Sequence, residues 1–185
     1  MPKGQVRIIG GEFRGRKLKV ADVQNLRPTP DRVRETLFNW LQDKIRGSYC
    51  LDAFAGSGAL GFEALSRGAD FVTFLDSDEE VVKMLKEQAK VFNAENLKIN
   101  KAIAPNDLQK PDQPFDVVFL DPPYSSDLLL KTCKYLEENN FLAADAYIYF
   151  ESSDEVHSKD LPESWQILKS KKAGGVYYYL AVCSL

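Results

Sequence analysis

The 185-residue sequence contains one histidine and three cysteines. The cysteines, Cys50, Cys133 and Cys183, lie far apart, and no pair has the spacing of a metal site or a disulfide framework. His157 lies in a polar stretch, ESSDEVHSKD, which is typical of a surface loop. A zinc centre and a histidine-based catalytic triad are therefore not expected, and no metal is predicted. Any chemistry has to use carboxylates, backbone groups, aromatic rings or a bound cofactor.

Long apolar runs are also missing. No segment approaches the roughly 20 apolar residues that cross a bilayer. The first residues, MPKGQVRIIGGEFRGRK, lack the apolar segment of a secretory signal, so a cytoplasmic protein is expected. Hydrophobic residues make up 44% and charged residues 28%, as in ordinary globular domains. The length fits one domain with its own core.

The net charge of -3, taken alone, argues against a nucleic-acid partner. The distribution of the charge along the chain removes this objection. Residues 1–46 carry 11 basic and 5 acidic residues, a net of +6, and the remaining residues carry a net of -9. A basic arm on an acidic body suits phosphate binding, because each paired phosphate releases a counterion. A solvated, charged extension explains this feature alone equally well.

Apolar periodicity predicts an α/β fold. A short ribbon is expected at 6–9 and 17–20, and then a helix to about residue 45 in which Thr29 is the N-cap. Further helices are predicted at 60–67, 79–93 and 126–139. The near-continuous apolar strands indicate a mostly parallel seven-stranded sheet that ends in an antiparallel hairpin. Its strands are expected at 49–54, 71–75, 97–103, 115–120, 146–150, 165–168 and 176–182.

A glycine loop, DAFAGSGALG, joins the first sheet strand to a helix. Gly56, Gly58 and Gly61 match the dinucleotide fingerprint, so a nicotinamide or flavin enzyme has to be considered. Asp52 would repel a pyrophosphate, however, and suits an ammonium group. Asp76 ends the next strand, where it can bind the two ribose hydroxyls of NAD or of S-adenosylmethionine. The loop indicates a nucleoside cofactor without identifying it.

The tetrapeptide DPPY directly follows the buried strand FDVVFL. Ligands bind beyond the carboxyl ends of strands in such sheets, which brings Asp121, Pro122 and Tyr124 to the site. The prolines make the loop rigid and leave carbonyl acceptors free, and the tyrosine supplies a flat ring. This combination suits a planar substrate that carries an amino group, such as a nucleobase. A purely structural turn would leave Asp121 and Tyr124 unexplained.

The pairing of DAFAGSGALG with DPPY resembles the class I S-adenosylmethionine-dependent methyltransferases that modify exocyclic amines of bases. The segments RIIGGEFRGRKL, LRPTPDRVRETLFNWL and GSGALGFEALSRGA extend the resemblance to the RsmD family over nearly the whole chain. That resemblance implies a Rossmann-like methyltransferase fold with a small N-terminal extension. It also implies methylation of the N2 amine of a guanine in small-subunit (16S) ribosomal RNA, at position 966.

The resemblance also implies roles for individual residues. The cofactor, S-adenosylmethionine, would be bound by Arg27, Thr29, Asp52, Ala55, Gly56, Gly58, Asp76, Ser77, Ala102 and Ile103. Asp121, Pro122 and Tyr124 would hold the target base. Lys101 departs from methyltransferases that carry an acid just before the adenine site, so adenine recognition would use the backbone there.

The basic arm is expected to bind the RNA backbone. The expected phosphate contacts are Arg7, Arg14, Arg16, Lys17 and Lys19. Residues 1–28 are expected to form this RNA-binding extension, and residues 29–185 the methyltransferase domain. The expected partner is ribosomal RNA, alone or within an assembling small subunit, bound by a monomer. A DNA adenine-N6 or cytosine-N4 methyltransferase, an NAD-dependent oxidoreductase and a non-catalytic RNA-binding module are the alternatives.

Overall fold

Within the residues that the computed structural model describes, 6–21, 29–123 and 127–184, nine strands and four α-helices are formed. The strands are β1 Val6–Arg7, β2 Lys17–Leu18, β3 Tyr49–Asp52, β4 Phe71–Asp76, β5 Leu97–Lys101, β6 Phe115–Leu120, β7 Leu142–Ser152, β8 Trp165–Ala173 and β9 Val176–Cys183. The helices are α1 Asp31–Trp40, α2 Ala59–Ser66, α3 Glu79–Phe92 and α4 Leu128–Glu138. A 3-10 turn covers Ser158–Asp160.

Seven strands form one sheet in the order β5-β4-β3-β6-β7-β9-β8. The first five of these are mutually parallel, and β9 pairs antiparallel with both β7 and β8. The predicted mostly parallel sheet with a closing antiparallel hairpin is therefore confirmed. The outer strand β8 is longer than predicted, because its lysine-rich half continues to pair with the tyrosines of β9.

Both faces of the sheet are covered. Along β6 the side chains alternate, so Val117 and Phe119 join one buried cluster while Val118 and Leu120 join the other. The first cluster contains apolar residues of α1, α2 and α3, and the second contains those of α4. This double coverage explains why the strand sequences are almost uninterruptedly apolar.

Helix α1 begins differently from the sequence prediction. The predicted face of Val33, Leu37, Leu41 and Ile45 is buried, although the helix itself ends at Trp40. The prediction of Thr29 as the N-cap is wrong, because Pro30 occupies that position and no side chain caps the helix. The Thr29 hydroxyl is instead within hydrogen-bonding distance of two carboxylates beyond the sheet.

Strands β1 and β2 form a separate antiparallel ribbon, with Val6 paired to Leu18. Its apolar side chains belong to the cluster that packs α1, α2 and α3 against the sheet. Glu63, which is fully buried on α2, accepts hydrogen bonds from the backbone N–H groups of Ile9 and Gly10, both at 2.8 Å. The ribbon is thereby attached to the second helix.

Candidate functional site at the carboxyl edge of the sheet

Four adjacent strands carry an acidic residue at their carboxyl ends. Asp52 ends β3, Asp76 ends β4, Asp121 directly follows β6, and Glu151 is the penultimate residue of β7. These strands are parallel neighbours, so the four acids lie along one edge of the sheet, with strands about 4.8 Å apart. The strand order also reverses between β3 and β6, where open α/β sheets bind ligands.

Two of these acids hold the glycine loop between β3 and α2. Asp76 Oδ2 accepts a hydrogen bond from the Gly56 N–H at 2.9 Å, and Asp52 Oδ2 accepts one from the Gly61 N–H at 3.0 Å. The Ala55 N–H donates to the Leu75 carbonyl oxygen at 2.8 Å. The loop therefore lies directly over the ends of β3 and β4.

Two glycines of the loop have no room for a side chain. Gly58 has a φ of +73°, and a Cβ there would lie 2.6 Å from Leu85 and 2.8 Å from Phe62. A Cβ at Gly61 would lie 2.2 Å from the Phe74 ring, so glycine allows α2 to pack closely on β4. The fingerprint spacing thus corresponds to a left-handed turn followed by close helix–strand packing.

The three aspartates at this edge have raised pKa values. Burial raises the pKa of Asp52 to about 7, although the hydrogen bond from Gly61 opposes the shift. Burial also raises the pKa of Asp76, and burial together with the charges of Glu151 and Asp52 raises that of Asp121. Among the described residues, no lysine or arginine forms an ion pair with these three aspartates. A cationic group fits this site electrostatically.

Thr29 connects two of the acids. Its Oγ1 lies 3.4 Å from Asp121 Oδ2 and 3.2 Å from Glu151 Oε1. The Tyr149 hydroxyl donates to the same Glu151 oxygen at 2.7 Å. Both Thr29 and Glu151 are buried, and the Pro122 ring beside Asp121 is buried too. The start of the DPPY loop is therefore fixed against β7 and against Thr29, two residues before α1.

The predicted adenine-binding residues lie at the end of β5. The Ala102 N–H donates to the Asp76 carbonyl oxygen at 2.9 Å, and the Ile103 N–H donates to Asp107 Oδ2 at 3.0 Å. Both amides thus already have partners, whereas the Ile103 side chain is 54% exposed. Ser77 is exposed next to Asp76. An apolar contact from Ile103 is the interaction that this geometry offers to a base.

Two predicted site residues, Arg27 and Tyr124, lie outside the described residues. One residue at the carboxyl edge was missed by the sequence analysis: Glu151. Its signal was available, because it follows the apolar run YIYF just as Asp52, Asp76 and Asp121 follow theirs. No cluster of three or more potential metal ligands occurs in the part of the chain that the structure describes.

The predicted phosphate contacts of the ribbon, namely Arg7, Arg14, Arg16, Lys17 and Lys19, are all exposed. Arg16 donates to the Val91 carbonyl oxygen at 2.6 Å, and its guanidinium lies 4.4 Å from the centre of the Phe92 ring. Since α3 runs 14 residues from the carboxyl edge of the sheet to Phe92, Arg16 lies about 20 Å from that edge. The structure brings the acids together and leaves Arg16 at the opposite end of the helices.

No helix among the described residues is long and apolar enough to span a membrane.

A family model described as conserved hypothetical protein 95 matches residues 6–182. Ribosomal RNA small subunit methyltransferase D from Escherichia coli (strain K12) is 47% identical over 177 residues, which cover 96% of this chain and 89% of that protein. The protein of the same name from Haemophilus influenzae is 50% identical over 191 residues, covering 96% and 94%. The solved structure of yhhF from Escherichia coli has a TM-score of 0.90 at 46% identity, covering 98% of this chain and 99% of that one.

Proposed function

The chain belongs to the conserved hypothetical protein 95 family, the RsmD family of methyltransferases, and from this premise we propose that it methylates the N2 amine of a guanine in small-subunit ribosomal RNA. S-adenosylmethionine is the proposed methyl donor. The two curated relatives named above are ribosomal RNA small subunit methyltransferases, which supports an RNA substrate. The observation that carries the proposal is the row of acids around the glycine loop, followed by Asp-Pro-Pro after β6.

The residues of the site fit S-adenosylmethionine. Buried carboxylates with raised pKa values favour a ligand that carries an ammonium and a sulfonium charge, and such a ligand would lower those pKa values again. Asp52 and the loop backbone would bind the methionine end, Asp76 the ribose hydroxyls, and Ile103 one face of the adenine. When bound, this cofactor supplies an already activated methyl group, so the protein mainly has to provide geometry.

Asp121 is the proposed catalytic residue. The lone pair of a guanine N2 amine is delocalised into the ring, and hydrogen bonds to Asp121 and to the Pro122 carbonyl would turn it towards the methyl group. Positive charge develops on N2 during the transfer, and a nearby carboxylate stabilises it. The raised pKa of Asp121 also suits it to receive the proton that N2 releases. Thr29 and Glu151 keep the Asp121 side chain in position.

The remaining expectations complete the proposal. Tyr124 would stack on a base that is turned out of its helix or loop. The ribbon within 1–28 would contact RNA phosphates, and residues 29–185 would form the catalytic domain. The RNA substrate is proposed to be bound alone or within an assembling small subunit, by a monomeric enzyme in the cytoplasm.

The decisive experiment combines purified protein, transcribed small-subunit ribosomal RNA and methyl-labelled S-adenosylmethionine. Nuclease digestion and mass spectrometry should give N2-methylguanosine at a single position. Matched DNA is assayed in parallel. If N6-methyladenine or N4-methylcytosine in the DNA carried the label and the RNA carried none, the RNA assignment would be wrong. Calorimetry should detect S-adenosylhomocysteine binding and no NAD binding; the reverse would indicate an oxidoreductase.

The role of Asp121 is tested by Asp121→Asn, which keeps the shape of the side chain and removes its charge. We expect kcat to fall by about 100-fold or more, in the range lost when one preorganised transition-state contact is removed. Affinity for S-adenosylhomocysteine should change little, because Asp121 is assigned to the base and not to the cofactor. Full turnover by the Asp121→Asn variant would contradict this role.

A further inference from the structure

The outer strand β8 carries three exposed lysines in its second half, Lys169, Lys171 and Lys172. The segment from 165 to 176 contains no acidic residue. These three residues, called here the β8 lysine edge, extend to a two-glycine turn at Gly174 and Gly175, both with positive φ. The positive charge is therefore concentrated at one end of the strand.

That end is the one beside the candidate site. Lys171 pairs with Tyr178 of β9, and Tyr178 pairs with Glu151 of β7. Lys171 thus lies in the same row as Glu151, two strands away, which corresponds to about 10 Å. The residue of β7 that precedes Glu151, Phe150, pairs with Leu120, which directly precedes Asp121. The β8 lysine edge therefore lies along the same edge of the sheet as the proposed base-binding residue.

Aromatic rings lie beside two of these lysines. Lys171 Nζ lies 5.9 Å from the centre of the Trp40 ring, and Lys172 Nζ lies 4.1 Å from that of Tyr177. Lys172 also donates to the Tyr177 hydroxyl at 2.8 Å. Glu155 is the carboxylate whose charge acts on Lys172. In the described part of the chain, none of the three lysines forms an ion pair, whereas Lys131 pairs with Asp127.

We propose that the β8 lysine edge binds backbone phosphates of the substrate RNA, within a few nucleotides of the target base. The inference rests on the proposed function and adds a second RNA contact to it. Exposed lysines without acidic partners, interleaved with aromatic rings, match the way single-stranded nucleic acid is held. Phosphate contacts near the site would set the register of the RNA strand. Arg16, which contacts the far end of α3 about 20 Å away, is too distant to do so.

The test replaces all three lysines, using Lys169→Gln, Lys171→Gln and Lys172→Gln together. The matched control carries Lys98→Gln, Lys110→Gln and Lys159→Gln, which are exposed and remove the same charge elsewhere. Binding of labelled, transcribed small-subunit ribosomal RNA is measured by filter retention at several salt concentrations. Calorimetry with S-adenosylhomocysteine verifies that each variant is folded.

The β8 variant should bind RNA about tenfold to a hundredfold more weakly at 0.1 M salt, and its salt slope should fall by about 2, since each lost single-strand phosphate contact removes about 0.7. The control should resemble the wild type. Equal binding by all three proteins, or equal weakening in both variants, would overturn the inference while leaving the proposed function intact.

Two further outcomes are decisive. Lysines on an edge strand also prevent sheets from pairing edge to edge, so a variant that aggregates but retains RNA affinity in its soluble monomer would overturn the inference. If the triple variant does not fold, the single variant Lys171→Gln replaces it. Its salt slope for RNA binding should fall by about 0.7. A wild-type protein that neither binds nor methylates RNA would instead refute the proposed function itself.

Discussion

At the scale of single residues, Asp52 combines a structural role with a proposed binding role, and the two oppose one another. It is buried at the end of β3, where it holds the Gly61 amide, and burial raises its pKa to about 7 from the usual 3.8. Between those values the folded chain binds more protons than the unfolded chain. The free energy of unfolding therefore decreases as the pH rises from about 4 to about 7.

Asp52→Asn should remove this pH dependence. The asparagine can still accept the Gly61 hydrogen bond, and each pKa unit corresponds to about 1.4 kcal/mol. Between pH 5 and pH 8 the Tm of the variant, relative to that of the wild type, should increase by several degrees. Its affinity for S-adenosylhomocysteine should fall about tenfold or more. Thermal unfolding at several pH values provides the measurement. Asp154→Asn, at an exposed site, is the control; a Tm difference that does not vary with pH would contradict the explanation.

Glu151 acts at the same scale through its neighbours. Its Oε1 accepts from Tyr149 and lies 3.2 Å from the Thr29 hydroxyl, which in turn approaches Asp121. Its negative charge is one of the causes that raise the pKa of Asp121. We therefore regard it as a positioning residue that also adjusts the proton affinity of the proposed catalytic carboxylate.

Glu151→Gln should lower the pKa of Asp121, because the glutamine keeps the acceptor atom but not the charge. If Asp121 has to be ionised to act, the acidic limb of the kcat–pH profile should move to lower pH, while kcat at its plateau falls about tenfold. KM for S-adenosylmethionine should change by less than about threefold. A profile that keeps the wild-type acidic limb would mean that Glu151 has only a packing role.

At the scale of elements, the basic ribbon is attached to α2 through one carboxylate. Glu63 is fully buried and accepts from Ile9, Gly10 and the Arg67 Nε, the last at 2.7 Å. Its Oε2 also lies 3.6 Å from Nη1 of Arg34, which is fully buried on α1. One side chain thus connects the ribbon and two helices, and its charge is needed because Arg34 is buried with it.

Glu63→Gln should loosen the ribbon. Breaking a buried charge pair costs about 3–5 kcal/mol, so trypsin should cleave after Arg14 or Arg16 several times faster than in the wild type. Mass spectrometry of timed digests identifies the cleavage sites. Glu87→Gln removes a half-exposed charge 4.0 Å from Lys19 and should leave the cleavage rate unchanged. Equal rates in both variants would show that apolar packing and the hydrogen bonds to Ser66 hold the ribbon without the charge of Glu63.

At the scale of the whole molecule, the mild net charge of -3 hides a spatial separation. Acids lie at the carboxyl ends of β3, β4, β6 and β7, where the cofactor and base are proposed to bind. The basic residues proposed to contact RNA lie at two separate places, the ribbon at the far ends of α2 and α3 and the β8 lysine edge next to the site.

Much of this arrangement could be predicted because its signals are local. A buried parallel strand needs an apolar run, and the loop over its end needs glycines, so β3, β4 and β6 and the acids that follow them were recognised from sequence. The prediction of Thr29 as an N-cap was wrong because a Ser or Thr before a proline ordinarily caps a helix. Its actual partners, Asp121 and Glu151, are 92 and 122 residues away, and no local rule can predict such contacts.

The sequence by itself determined the class of fold and the positions of Asp52, Asp76 and Asp121, because strand periodicity and loop glycines depend on neighbouring residues alone. The sequence also carried the signal for Glu151, but only the tertiary structure decided that Arg16 lies far from these acids and that the lysines of β8 lie near them. The reason is the strand order β6-β7-β9-β8, in which β9 is inserted between strands that come earlier in the chain. Sheet pairing over such distances decides which charges become neighbours, and burial then sets their pKa values.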